Sequence, residues 1–225
     1  MADPARVRFR WPERTSFGMS VPEFQLDRGE SVLLLGESGS GKSTLLSLVC
    51  GIVTADAGRV DLAGTDLATL RAGARDRFRA ERIGVIFQQF NLLPYASVSD
   101  NILLPLKFAP ERRKRAGPDD AARLCTALGL PGDIIQAKAG RLSVGQQQRV
   151  AVARALIGQP PLIVADEPTS ALDAATQDAF LGLLFDQIAA AGSSLLMVSH
   201  DERLGARFDR VVRFAEIASV ERQAA

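Results

Sequence analysis

Ser31-Val-Leu-Leu-Leu35 runs without a break into Gly36-Glu-Ser-Gly-Ser-Gly-Lys-Ser43, and this junction decides the fold. A short continuous apolar run is what a strand shows when both its faces are buried. The run ends in a glycine-rich turn with the spacing G-x-x-x-x-G-K-[ST], and the residues from Lys42 to about Cys50 then read as a helix. Strand, turn and helix in this order make a phosphate-binding loop. Gly36, Gly39 and Gly41 let the backbone curl, so that the N–H groups of this loop, with those of Glu37, Ser38 and Ser40, converge on a β-phosphate. The helix start adds its positive end. Lys42 offers a mobile charge to the β- and γ-phosphates, Ser43 a hydroxyl placed to ligate Mg²⁺, and Thr44 completes the set. ATP with Mg²⁺ is the expected ligand. The spacing alone also admits kinases, GTPases, helicases and recombinases, so the class must come from other residues.

Working outward, Leu162-Ile-Val-Ala-Asp-Glu167 is a second buried strand ending in two carboxylates, and Leu195-Leu-Met-Val198 is a third, followed by His200. A helical segment at 174–191 lies between them, which implies parallel pairing with helical crossovers and an α/β core. Ligands of such sheets bind at the carboxyl ends of the strands. There Asp166 suits outer-shell coordination of Mg²⁺, and Glu167 suits a general base that polarises water in line with a γ-phosphate. Upstream, Val7 to Trp11 and Val21 to Leu26 read as an opening antiparallel hairpin, with a turn at Pro12 to Gly18.

Between Gln88 and Pro160 the pattern becomes helical, over about 99–108, 119–129 and 144–158, punctuated by Pro94, Pro110, Pro118, Pro131 and Gly140. The expected organisation is a nucleotide-binding core of 1–87 and 161–225 with an inserted helical subdomain of 88–160. The charged run Glu111-Arg-Arg-Lys-Arg115 reads as a solvated loop, with a position near lipid headgroups as the alternative.

Composition excludes several classes. The chain of 225 residues is 47% hydrophobic and 24% charged, ordinary for a globular protein that buries a sizeable core. A net charge of +1 leaves no electrostatic footprint for nucleic acid. Cys50 and Cys125 stand far apart with no metal-type spacing and read as buried free thiols. The start, MADPARVRFRW, lacks the apolar stretch of a signal peptide, and no run approaches the ~20 apolar residues that cross a bilayer, so a cytoplasmic chain is expected.

Leu142-Ser-Val-Gly-Gln146, continued by Gln147-Gln-Arg-Val-Ala-Val-Ala-Arg-Ala-Leu156, resembles the LSGGQ signature that defines the ABC ATPase family. The fold that the resemblance implies is the P-loop NTPase fold, a RecA-like parallel sheet with an antiparallel β edge and an inserted helical subdomain. Ser143 is a good N-cap and Gly145 lets a helix start approach an anion closely. In the family this segment, with Gln146, is offered to the ATP of the opposite subunit, so a second ATPase chain is an expected partner.

The resemblance extends through most of the chain. Trp11 occupies the place of the aromatic residue that stacks on adenine. Gln88, in Ile86-Phe-Gln-Gln-Phe90, resembles the glutamine that ligates Mg²⁺ and senses the membrane partner; by alignment of the phenylalanines Gln89 is the weaker choice. Ser170-Ala-Leu-Asp173 resembles the D-loop, with Asp173 expected to act across the dimer. His200, the only histidine, matches the residue that contacts the γ-phosphate. One departure stands out: Val144 replaces a glycine of the signature, and a β-branched residue disfavours positive φ and close backbone approach.

Phe87-Gln-Gln-Phe-Asn-Leu-Leu-Pro94 and Ser97-Val-Ser-Asp-Asn-Ile-Leu-Leu-Pro105 are similar to ATPases of the lipoprotein-release and macrolide-export group. That implies a separate integral membrane permease, a chain peripheral on the inner face of the cell membrane, and export or extraction of a substrate. An ABC importer ATPase and a regulator of a membrane-bound cell-envelope enzyme share much of the pattern and remain alternatives. A soluble ATPase of DNA repair or translation would carry a long coiled-coil insertion or two cassettes, and neither is visible.

Overall fold

The structure, a computed structural model, describes residues 6–11, 14–170, 172 and 174–222. Strand β1 (Val7–Trp11) pairs antiparallel with β2 (Arg14–Val21), with Val7 opposite Val21 and Phe9 opposite Met19. The second strand therefore precedes the expected Val21 to Leu26, and most of the expected turn at Pro12 to Gly18 is strand. Two physical reasons account for the shift. Met19 and Val21 alternate inward with Phe9, while Pro22 has no N–H to carry the ladder further. A later strand absent from the sequence reading, β10 (Ser219–Arg222), pairs with the other edge of β2, making β2 the central strand of three.

In chain order there follow β3 (Ser31–Leu35), helix α1 (Lys42–Val49), a small hairpin of β4 (Asp61–Leu62) and β5 (Thr65–Asp66), α2 (Ala72–Arg82) and β6 (Ile83–Ile86). The helical region holds α3 (Val98–Leu103), α4 (Pro110–Arg115), α5 (Asp120–Ala127) and α6 (Val144–Leu156). The chain closes with β7 (Leu162–Asp166), α7 (Ala174–Ala191), β8 (Ser194–Ser199), β9 (Arg210–Arg213), α8 (Phe214–Ile217) and then β10. Five strands form one sheet in the order β6-β7-β8-β3-β9, with β3 parallel to β9 and β6 parallel to β7. This is the α/β core the buried runs predict. Among the described residues no helix is long and apolar enough to cross a membrane. Cys50 and Cys125 are buried free thiols, and burial pushes the Cys125 thiol up to about 11.

Contacts divide the chain into two compact units: residues 1–27, 31–79 and 197–225, and residues 28–30 and 80–196. In the first, β3 is buried at every position, and its entry is fixed by Asp209, which accepts from the Ser31 N–H at 2.8 Å and the Ser31 hydroxyl at 2.7 Å. That hydroxyl holds the Asp209 carboxyl below the usual carboxylate range.

In the second unit, α6 packs directly on β6. A Cβ on Gly84 would stand 2.1 Å from the Ala155 carbonyl oxygen, so only glycine lets the helix come this close. The expected solvated loop at Glu111 to Arg115 is instead part of α4, and Arg112 is only 1% exposed. Its guanidinium donates to the carbonyls of Ile157 at 2.6 Å, Ala155 at 2.6 Å, Ala80 at 3.0 Å and Ile83 at 3.2 Å. The last turn of a helix leaves its carbonyls without intrahelical donors, and the five-donor fork of arginine satisfies several at once. A charge run therefore hid a structural residue. Burial pushes the Arg112 guanidinium down to about 10, which still leaves it charged at neutral pH.

Candidate functional site

The phosphate loop lies in the first unit. Gly36 N–H donates to the Ser199 carbonyl at 3.4 Å, which sets the end of β3 beside the end of β8, where exposed His200 follows. Gly39 (φ 75°) and Gly41 (φ 117°) are left-handed, and Gly41 is the N-cap of α1. A Cβ at Gly41 would add contacts at 3.3 Å to Phe214 and 3.4 Å to Phe17 as well as backbone strain, so glycine is required there. Lys42 is 5% exposed, and its ammonium donates at 2.6 Å to the carbonyls of both Gly36 and Glu37. The charge is held inside the curl of the loop by the loop itself.

Two observations test whether the loop fits a polyphosphate. Ser40 Oγ is buried with no hydrogen-bond partner among the described residues, a hydroxyl that an anionic oxygen would satisfy. Glu37, Ser38 and Gly39 are exposed, as is Ser43 at the start of α1, so the loop faces solvent along its outer side. Trp11 joins this group: its Nε1 donates to Thr44 Oγ1 at 3.3 Å, and its ring meets Phe9 edge-on with centroids 5.1 Å apart. Within this unit the structure thus brings together Trp11, the residues from Gly36 to Thr44, and the end of the strand that leads to His200.

The second unit carries the acidic pair and the signature. Asp166 ends β7, and Glu167 has φ 44°, a left-handed conformation for a non-glycine residue that directly precedes Pro168. Such a backbone costs on the order of 1–3 kcal/mol and persists only where its surroundings hold it. Here Ser170 N–H donates to the Glu167 carbonyl at 3.3 Å, buried Gln148 donates from Nε2 to the Pro168 carbonyl at 2.6 Å, and Gln177 Nε2 donates to Thr169 Oγ1 at 3.0 Å. Three bonds on consecutive residues fix the turn that presents the carboxylate.

Helix α6 starts in a capping box: Gln146 N–H donates to Ser143 Oγ at 3.3 Å, and Ser143 N–H to Gln146 Oε1 at 3.0 Å. Val144 is the first helical residue and is 55% exposed. Neither Val144 nor Gly145 has positive φ, so the valine meets no backbone penalty within this chain. A Cβ on Gly145 would meet nothing within 4 Å, so its lack of a side chain serves no contact inside this chain. Gln88 lies exposed on the turn after β6. That turn continues through Phe90 (φ 57°) and Asn91 (φ 47°), whose carbonyls both accept from the Arg154 guanidinium in the last turn of α6. Asp173 lies outside the described residues.

Gln148 and Arg154 escaped the sequence reading, although a signal was present. Gln148 shares a helical stripe with Ala151, Val152 and Ala155, and Arg154 one with Val150, Ala153 and Ile157, all buried. A polar side chain on an apolar stripe must find a partner, and here the partners are carbonyls of the turns that follow β7 and β6. Among the described residues no three His, Cys, Asp or Glu side chains form a group that would hold a metal ion alone. The hydroxyl, amide and carboxylate of Ser43, Gln88 and Asp166 are hard oxygen donors of the kind that suits Mg²⁺ already carried by phosphates.

A family model described as "ABC transporter" matches residues 20–170. The chain is 42% identical over 224 residues to the lipoprotein-releasing system ATP-binding protein LolD of Novosphingobium aromaticivorans, covering 96% of this chain and 98% of that protein. It is 41% identical over 191 residues to the uncharacterized ABC transporter ATP-binding protein YbbA of Escherichia coli, covering 85% and 83%. Among solved structures, a dimeric post-hydrolysis state of the ATP-binding cassette MJ0796 bound to ADP and phosphate superposes with a TM-score of 0.76 at 32% identity, covering 93% of this chain and 91% of that one.

Proposed function

The chain belongs to the ABC transporter family of ATP-binding proteins, and from that premise we propose that it drives a separate integral membrane permease by ATP-dependent closure of a homodimer. It is an ATPase subunit of the lipoprotein-release and macrolide-export type. In the proposed cycle Trp11 stacks on adenine, and the loop from Gly36 to Thr44 wraps the phosphates. Lys42 leaves the carbonyls of its own loop for the β- and γ-phosphates, since an ammonium gains more from an anion than from a neutral acceptor. Ser43, Gln88 and Asp166 would hold Mg²⁺ together with the phosphates, and the ion would neutralise charge at the γ-phosphoryl group. Glu167 polarises the attacking water and His200 contacts the γ-phosphate. Ser143, Gly145, Gln146 and Asp173 serve the nucleotide of the partner subunit. The division into a core of 1–87 and 161–225 and a helical subdomain of 88–160 belongs to the same proposal.

Gly145 carries the dimer reading. It is the second residue of α6, where the N–H groups ahead of the capped Gln146 have no intrahelical partner, and its missing side chain leaves open space that nothing in the chain uses. A phosphate brought by a second subunit is the ligand that such a start suits. Exposed Tyr95 and Phe108, 74% and 65% accessible, favour a protein partner on the helical unit. The permease makes the chain peripheral on the inner face of the membrane, and the direction we infer is export or extraction. Affinity purification of the tagged chain from membranes tests this. A co-purifying permease with a large extracytoplasmic domain is the expected result. A permease that works with a substrate-binding protein, or a cell-wall enzyme, would overturn the direction while leaving the ATPase assignment in place.

A further inference from the structure

We propose that Gln148 is a positioning residue for hydrolysis, holding the Glu167 turn in register with the signature helix; the proposal rests on the reading of Glu167 as the base. Gln148 is 1% exposed, and its amide reaches the Pro168 carbonyl, one peptide beyond Glu167, at 2.6 Å. The Glu167 backbone is left-handed at φ 44°, so its conformation depends on what grips the neighbouring peptides.

The helix that supplies the grip is itself immobilised. At its last turn, Arg112 donates to the Ala155 and Ile157 carbonyls, and Arg154 reaches out to the carbonyls of Phe90 and Asn91 on the turn that carries Gln88. The absence of a side chain at Gly84 lets the Ala155 carbonyl of α6 lie against β6. Helix α6 is therefore anchored six residues beyond Gln148, about 9 Å along the axis at ~1.5 Å per residue, and cannot follow the Pro168 peptide if it moves. The same helix begins at Ser143, the residue offered to the partner's nucleotide. Through this one amide the anchored helix keeps the turn that aims the base in fixed register with Ser143. The bond costs nothing in ATP affinity, because neither Gln148 nor Pro168 belongs to the phosphate loop.

Gln148→Met retains bulk and removes the donor. In the full chain purified with its permease, it is expected to lower kcat about 10-fold to 100-fold, the scale of a misplaced catalytic group, with KM for ATP unchanged within twofold. The deciding readout is the double variant. If Gln148 acts through Glu167, Gln148→Met adds less than about twofold to the loss already caused by Glu167→Gln. A full multiplicative loss in that background, or a raised KM with kcat intact, would make Gln148 a packing residue and overturn the inference. Should Gln148→Met fold poorly, Gln148→Asn, which keeps the amide but is too short to reach Pro168, is read in the same cycle. Wild-type turnover in Glu167→Gln itself is a separate outcome: it removes the base assignment, and with it the residue through which Gln148 acts.

Discussion

Trp11 Nε1 donates a 3.3 Å hydrogen bond to Thr44 Oγ1, tying the only tryptophan of the chain to the first turn of the helix that the phosphate loop enters. The indole is thus oriented at both ends, by Thr44 at its nitrogen and by the edge-on ring of Phe9. Preorganisation of this kind lowers the cost of stacking a base on the exposed part of the ring.

Because stacking on adenine is the same before and during phosphoryl transfer, Trp11→Ala is expected to raise KM for ATP about 10-fold with kcat changed by less than about threefold. Trp11→Phe keeps a ring face and loses only the bond to Thr44, so it should lie between. Steady-state kinetics checks both, and intrinsic fluorescence should change on nucleotide binding. An emission spectrum that does not move at saturating ATP would place adenine elsewhere.

Lys42 bridges the Gly36 and Glu37 carbonyls, so Lys42→Ala removes a contact of the loop as well as a charge. The expected outcome is weakened ATP binding and turnover reduced to background, with the thermal midpoint little changed in the absence of nucleotide. Calorimetry with and without MgATP, run beside an ATPase assay, separates the two effects. Normal hydrolysis would refute the assignment of the loop.

Arg112 makes the opposite kind of prediction, on stability alone. Truncation to alanine strands several buried carbonyls on α6 and at the start of β6, which costs on the order of 3–5 kcal/mol. Arg112→Lys should recover little of this, since an ammonium cannot match a planar fork that serves four carbonyls at 3.2 Å or less. Denaturant midpoints give the comparison.

The contrast between Lys42 and Arg112 shows what a single sequence discloses. Lys42 sits in a local pattern, strand then glycine turn then helix, and every part of that pattern lies within a dozen residues. The buried runs at β3, β7 and β8 were legible for the same reason, and so was the helix at 174–191. Arg112 lies in a run of charges, and what buries it is a helix end more than forty residues away. No local composition announces such a contact. That β2 is the central strand of three is not legible locally, because its second partner, β10, lies some two hundred residues downstream. For Val144 the preference against positive φ has no consequence, because the capping box at Ser143 places position 144 inside the helix.

The central claim is that one chain supplies the base and the loop while a second supplies the signature, so the most direct measurement is the oligomeric state of Glu167→Gln with and without MgATP. Replacing the carboxylate by an amide preserves shape, leaves binding intact and costs about 10²–10⁴ in hydrolysis rate. The two unhydrolysed nucleotides then remain as bridges between subunits. Size-exclusion chromatography with light scattering should give a monomer without nucleotide and a dimer of twice the mass in MgATP. Ser143→Arg in the same protein should abolish the dimer, and Val144→Gly should leave it unchanged, since Val144 already occupies an ordinary helical position. A Glu167→Gln protein that demonstrably binds ATP, yet remains monomeric at saturating MgATP with or without Val144→Gly, would contradict the account.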